Sequence, residues 1–342
     1  MKVNGVIYLC FFLLLTACSD QPEPFSERDR IAVRFSLSGM QAEVGTRADG
    51  NGTSPLAEGT TLRILAFKRV GTNADLSKDE YMGEGAYEAN SDGSLMTVIP
   101  LLLLEGTYDF YALTPSSVTV DKTNNPCTVS VNHGVDYASS TEVTTATVTE
   151  NNSSVTLAAL TRRCTKLNFA IFPKDGSGIT SLTIIEISLS NMTDAPLKGE
   201  LSKALPIETT RETTVTLGGE AFTATTEKPL DYSASTIVLP RKAGAFDFKM
   251  KASIGSQEGT GEKEYSAPLP ADIAFLPGCQ YTFTVKMKGG KDELVLSVQQ
   301  WGNNSLDAGD MGDYYTTTLT VESGWKENPW TDADGLGGTS NK

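Results

Sequence analysis

Cys18 is the residue whose surroundings define a chemistry most sharply. It closes the run Leu15-Thr16-Ala17-Cys18, in which small residues precede a thiol. That is the pattern of a bacterial lipobox. A signal peptidase would cut between Ala17 and Cys18, and the thiol would take a diacylglyceryl group. Several acyl chains on one residue anchor a protein stably, where a single chain is marginal. The preceding residues fit: Lys2 gives a basic start and residues 6–15 are almost wholly apolar. That stretch is too short to span a bilayer, and no stop-transfer pattern follows. An ordinary secretory signal with an incidental cysteine is the competing reading. Residues 19–27 are polar and proline-bearing, as expected of a tether.

Other residues able to do chemistry are few. His133 is the only histidine, in the turn-like Asn132-His133-Gly134. A histidine-rich metal site is excluded by that count. No Gly-x-Ser-x-Gly elbow occurs, and no glycine-rich loop ending in Lys-Ser/Thr. Nothing singles out a carboxylate pair for glycoside hydrolysis among 42 acidic residues. Thr331-Asp332-Ala333-Asp334-Gly335 starts like a calcium loop but lacks the later Glu, so it reads as a solvated tail. The internal Lys291-Asp292-Glu293-Leu294 carries no retention meaning. With Cys10 in the signal and Cys18 as anchor, Cys127, Cys164 and Cys279 remain. Three thiols allow at most one disulfide. Cys164 and Cys279 are the pair to consider, and three unpaired thiols is the reading adopted. No enzyme, metal or cofactor is expected. A net charge of −14 argues against a nucleic-acid partner.

The elements around these residues read as strands almost throughout. Dense Thr, Ser, Val and Gly usage with short apolar alternations points to β structure, and no long segment keeps a 3.6-residue apolar period. Ile31, Val33, Phe35 and Leu37 alternate with Ala32, Arg34, Ser36 and Ser38, a half-buried strand. Leu62, Ile64 and Ala66 on one face and Leu65 and Phe67 on the other predict a strand buried on both sides. Residues 95–104 are strongly apolar but interrupted by Pro100, and are expected to be a core strand meeting a turn. Residues 106–113 read as a strand opening at a glycine, and 128–131, 143–149 and 155–160 complete a first unit. The pattern restarts beyond Thr161-Arg162-Arg163, with strands expected at 167–172, 182–189, 213–217, 236–239, 246–254, 281–287 and 294–298. Regular short strands separated by turn signals such as Asp175-Gly176 and Gly218-Gly219 suggest β-sandwiches, and 342 residues suggest two.

Trp301 ends the last of these strands and reads as packing. A polar tail, 302–342, follows. Within it residues 314–321 alternate, with Tyr315, Thr317, Leu319 and Val321 on one face. Two readings stay open. The segment folds back as an edge strand of its own second domain, or it is offered to another subunit by β-augmentation.

In their order and spacing these features resemble the fimbrillins, pilus subunits of Gram-negative anaerobes. The matching residues are the lipobox at Cys18, the strand 31–37 and Gly45-Thr46-Arg47-Ala48. Further along come Glu105-Gly106-Thr107-Tyr108-Asp109-Phe110-Tyr111-Ala112 and Leu276-Pro277-Gly278-Cys279-Gln280-Tyr281-Thr282-Phe283-Thr284-Val285, then the apolar strand ending at Trp301. The resemblance runs over nearly the whole chain. It implies an all-β fold of two consecutive transthyretin-like β-sandwich domains, at 48–161 and 162–301. These follow a signal peptide (1–17) and a lipidated propeptide (18–47), and precede the tail (302–342).

The resemblance also implies a life history. The precursor travels as a lipoprotein to the outer membrane, anchored through Cys18. An Arg-specific, trypsin-like surface protease cuts after Arg47, leaving Ala48 as the new amino terminus. The cut frees the strand bearing Ile31, Val33, Phe35 and Leu37 and leaves an apolar groove with unpaired backbone, which templates pairing with another chain. A donor strand from another fimbrial subunit then fills it, and residues 314–321 are the candidate donor. Burying four such side chains is worth about 6–12 kcal/mol before entropy costs. An arginine in a polar loop beside a strand is accessible to a protease; Arg162-Arg163 is a weaker candidate. Two other roles remain: a fimbrial anchor or non-polymerising surface lipoprotein that keeps its first strand, and a glycan-binding surface lipoprotein using Trp325 and Trp330 as an aromatic platform.

Overall fold

The computed structural model describes residues 29–41, 53–71, 79–123, 127–201, 203–207, 212–257, 259–269, 271, 273–288, 293–301 and 316–322. The chain is all-β, a set of packed sheets in a sandwich-like arrangement. The first half carries β1 (Ile31–Ala32), β2 (Arg34–Leu37), β3 (Met40–Gln41), β4 (Thr53–Ser54), β5 (Thr61–Lys68), β6 (Glu80–Ala89), β7 (Leu95–Ile99), β8 (Leu102–Leu103), β9 (Gly106–Thr114), β10 (Thr119–Asp121), β11 (Thr128–Val131), β12 (Ala138–Ser140), β13 (Thr144–Val148), β14 (Ser154–Leu157) and β15 (Leu160–Arg162). The second carries β16 (Thr165–Pro173), β17 (Ser181–Met192), β18 (Leu197–Glu200), β19 (Thr213–Gly218), β20 (Thr223–Ala224), β21 (Tyr232–Val238), β22 (Phe246–Ser256), β23 (Gly259–Leu269), β24 (Gln280–Lys288), β25 (Glu293–Trp301) and β26 (Thr316–Glu322).

The large sheet of the first half runs β4-β3-β15-β12-β9-β5-β6-β7, with β13 also paired to β9. Its centre, β5, is buried on both faces, as its apolar pattern requires. Leu62, Ile64 and Ala66 face one core with Phe110, while Leu65 and Phe67 face another with Tyr111 and Leu113. Residues 31–37 and β14 cover the first face. The second is covered by the small sheet β10-β11-β18, whose last strand comes from the other half of the chain.

In the second half β20-β21-β16-β24-β25-β26 packs on β19-β17-β22-β23. Phe283 lies at the centre of that core, stacked on Phe169 at 5.2 Å and on Phe248 at 6.2 Å between ring centroids. Offset ring pairs add to the energy of burial alone.

The halves meet at a hydrogen-bonded seam. His133 sits in the expected turn, before Gly134 with φ of +84°. The Leu239 N–H donates to its Nδ1 at 3.1 Å, so Nε2 carries the proton and donates to the Thr193 carbonyl at 2.8 Å. Gly134 N–H adds a bond to the Ile237 carbonyl, and Leu201 N–H one to Cys127. Burial depresses the pKa of His133, and the bond to Thr193 opposes that only in part. The single histidine thus joins the two halves.

One expectation is corrected here. Residues 95–104 are not a core strand. β7 is the edge of the large sheet, and Met96, Val98, Ile99 and Leu102 are exposed, whereas Leu101 and Leu103 are buried. The apolar run is interrupted at Pro100, between the end of β7 and the start of β8. Apolar composition does not reveal an edge position; β7 pairs only with β6, with a register shift between Ala86 and Tyr87. Cys127, Cys164 and Cys279 are buried and unpaired.

Candidate functional site

The strand bearing Ile31, Val33, Phe35 and Leu37 has no single neighbour along its whole length. It changes partners midway. Ile31 and Ala32 pair antiparallel with Leu103 and Leu102 of β8. From Arg34 to Leu37 the chain instead runs parallel to β14, with Phe35 opposite Val155 and Leu37 opposite Leu157. Val33 links the two: its N–H donates to the Leu101 carbonyl at 3.0 Å, and Arg34 N–H donates to Ser153 at 2.8 Å. Ser38 closes the far end, its N–H and its hydroxyl both donating to the Leu157 carbonyl, at 3.2 and 3.0 Å.

Alternation decides what the strand buries. Val33 and Phe35 are buried and Arg34 and Ser36 exposed; Ile31 and Leu37 are half-buried at the rims. The Phe35 ring meets Tyr87 and Phe110 edge-on, at 5.4 and 5.2 Å between centroids. Leu101 and Leu103 form one wall, Val155 and Leu157 the other. The Tyr87 hydroxyl accepts the Leu101 N–H at 3.3 Å, and burial raises its pKa. Gly85 lets that ring lie close: a Cβ there would meet Tyr87 at 2.8 Å and the Ile99 carbonyl at 2.9 Å. The two fully buried residues contribute roughly 3–6 kcal/mol and the half-buried pair a smaller share. The slot is apolar and aromatic-floored, with backbone acceptors on both walls.

Beyond Ser38 the chain turns at Gly39, whose φ of +109° suits glycine, and its carbonyl takes the Leu160 N–H at 2.9 Å. β3 then inserts into the large sheet between β15 and β4. Sequence reading missed this two-residue strand, which is too short to show a pattern. Its place matters, because β3 is the only described partner of β4, and a cut in the connection between the two would leave β3 and the first strand joined to the rest of the chain only by pairing and packing. Leu101, Leu103 and Tyr87 were missed as slot residues as well; the bipartite apolar run around Pro100 was the signal for the two leucines.

Among the other expected site residues, Ala17, Cys18, Arg47, Ala48 and Tyr315 lie outside the described residues, as do Trp325 and Trp330. Thr317, Leu319 and Val321 lie on β26, opposite Val298, Leu296 and Leu294 of β25. That is an edge position in the chain's own second half, in a different sheet from the slot. Arg162 and Arg163 are held in place. Arg162 Nε bonds Asp136 at 3.0 Å, and Arg163 donates from its backbone to Tyr137 and from its side chain to Ser139 and Ser140. A protease needs an extended free backbone, which this pair does not offer. Among the described residues no cluster of three or more His, Cys, Asp or Glu could hold a metal.

The family model described as fimbrillin-like matches residues 46–301. No curated protein matches the chain. A crystal structure of a candidate cell adhesion protein from Bacteroides fragilis superposes with a TM-score of 0.58 at 19% identity, covering 81% of this chain and all, 100%, of its own. A similar candidate from Bacteroides uniformis gives 0.47 at 16%, over 80% and 100% of the two chains. The fimbrial anchor protein Mfa2 from Porphyromonas gingivalis gives 0.35 at 11%, over 86% and 100%. The first of these shares the fold.

Proposed function

We propose a function from one premise: the chain belongs to the fimbrillin-like family. It is a structural, non-catalytic subunit of a surface fimbria that serves adhesion. It is exported as a lipoprotein through Cys18, carried to the outer membrane, and assembled after an Arg-specific protease cuts between Arg47 and Ala48. The mature subunit is two transthyretin-like sandwiches, 48–161 and 162–301, with the tail 302–342 carrying a donor strand to the next subunit.

The observation that carries this reading is the split pairing of residues 31–37. A strand held for two residues by one neighbour and for four by another, with no continuous ladder, can be exchanged for a longer one. What it covers is an aromatic floor with wall carbonyls that its departure frees, a surface suited to another extended chain of the right alternation. Mass spectrometry of the protein from cells tests the reading: a mature chain beginning at Ala48 supports it. A chain beginning at an acylated Cys18, with no polymers after trypsin-like digestion, overturns it.

One observation favours a second role. β26 is already paired with β25 along seven residues. A chain that keeps both its first strand and this pairing is a tethered anchor or a non-polymerising surface lipoprotein, and the same measurement separates the two.

A further inference from the structure

Four of the six large apolar side chains exposed among the described residues fall within one short stretch. They are Met96 (47% exposed), Val98 (55%), Ile99 (57%) and Leu102 (41%). They lie on the edge strand β7 and on β8, around Pro100. Residues 95–104 contain no charge, on a chain of net charge −14. A clustered, uncharged edge strand is a surface that proteins otherwise blunt with lysines or cover with another chain.

The position of this patch is informative. Leu102 is paired with Ala32, and Leu101 accepts the Val33 N–H. The patch therefore borders the slot at its Ile31 end. The other end is different in kind: the chain leaves it through Met40, toward a cavity lined by Leu56 and by the ion-paired Asp136 and Arg162. One end of the slot is apolar and uncovered, the other polar and internally paired.

We propose that the subunit supplying the replacement strand rests its body on Met96, Val98, Ile99 and Leu102, so that its strand enters at the Ile31 end, parallel to the strand it displaces. This rests on the strand-exchange reading above and adds polarity and a docking surface to it. A tail strand follows its own domains in sequence, so a strand running in the direction of residues 31–37 leaves its body at the Ile31 end. The same direction also reuses the vacated carbonyls of Leu101, Ser153 and Leu157 in their present register. The expected donor, residues 314–321, is uncharged like the patch.

A lipid surface is the less suitable occupant. Residues 79–121 hold no Lys, Arg or His, and the charges along this stretch are acidic: Glu88 opposite Met96, Asp92 in the preceding turn and Glu105 beyond β8; the neighbouring Arg30 and Arg34 lie on the strand that exchange removes. Anionic membranes favour patches ringed by basic side chains.

The test uses full-length precursor, cut with trypsin-like protease, carrying a photo-crosslinking residue at position 98 or, separately, at position 157 inside the slot. Capture of the neighbour's tail at 157, together with capture at 98 of neighbour residues from 162–301, is the expected result. Capture at 157 with none at 98, or at 98 only of residues 323–342, leaves strand exchange standing and overturns this proposal. Capture at neither position overturns both. Capture of lipid at 98 in intact cells overturns it in favour of a membrane contact. In parallel, Val98→Lys and Ile99→Lys should each reduce polymer yield at least tenfold while leaving the Tm of the uncut precursor within 2 °C of the parent; an unchanged yield overturns the proposal.

Discussion

The two halves of the chain close their cores in opposite ways. In the second half, β17 of twelve residues pairs from Ser181 to Leu189 with β22 of eleven, which pairs in turn with β23 of eleven. Most of the apolar side chains of that core lie on strands joined by such long ladders. In the first half the corresponding cover is six residues, β1 and β2, split between two neighbours. Both halves bury aromatic rings to a similar depth, so hydrophobic content does not distinguish them. The difference lies in how many backbone bonds must break before a core strand can leave. Local opening follows that number, and elements that move in function come from its low end.

The largest effect that would sharpen this contrast comes from Phe283→Ala. Its ring is fully buried between Phe169 and Phe248, and truncating it should cost about 3–5 kcal/mol. Urea unfolding should show this loss equally in the precursor and in protein cut after Arg47. Phe35→Ala removes a ring touching Tyr87 and Phe110 and should cost about 3 kcal/mol in the precursor. After the cut, with the strand gone, it should cost nothing. A loss that persists in the cut protein would mean that residues 31–37 stay bound, and the contrast between the halves would fail.

The seam between the halves gives the next prediction. His133→Ala leaves the buried Leu239 N–H and Thr193 carbonyl without partners, a cost of about 1–3 kcal/mol. The pH dependence follows in sign. Burial depresses the folded pKa of His133 below its unfolded value. The neutral ring's contribution is therefore complete above about pH 6.5 and is lost as pH falls from there toward the folded value. A protonated ring can no longer accept the Leu239 N–H. Stability measured from pH 8 down to 5 should fall in the parent, and His133→Gln should flatten the part of the slope that lies below pH 6.5. An equal slope in both would remove His133 from the seam's energetics.

How far this could be read from the chain depends on the range of the interaction. The alternation of residues 31–37 and the two-faced pattern of β5 are local, and both appear where they were expected. So do the strands around Phe169, Leu189, Phe248 and Phe283. β6 and β23 were not legible. Gly83, Gly85 and Glu84 in the one, and Gly259, Gly261 and three charged residues in the other, carry weak strand preference. They are extended because β5 and β22 offer them long ladders, a tertiary override of propensity. The passage of β18 to β11 joins residues some seventy positions apart, and nothing local announces it. At the site itself Val33 and Phe35 were legible by period, whereas Tyr87 on the floor and Leu101 on the wall were not: Tyr87 comes from the illegible β6, and Leu101 from a segment whose partner is the very strand it holds.

The smallest predicted effect concerns the outer face of that same strand. Ser36 and Thr156 share a hydrogen bond of 3.0 Å across β2 and β14, open to solvent. Water replaces such a bond readily, so Thr156→Ala should change precursor stability by only about 0.5 kcal/mol. Its value lies in the pairing with Phe35→Ala. Both substitutions touch the same parallel ladder, one from the dry side and one from the wet. If the slot holds its strand by burial, unfolding of the first half should respond at least several-fold more strongly to Phe35→Ala than to Thr156→Ala. Comparable losses would mean that the ladder, not the buried rings, retains the strand. An incoming chain would then need matching backbone register more than matching apolar side chains.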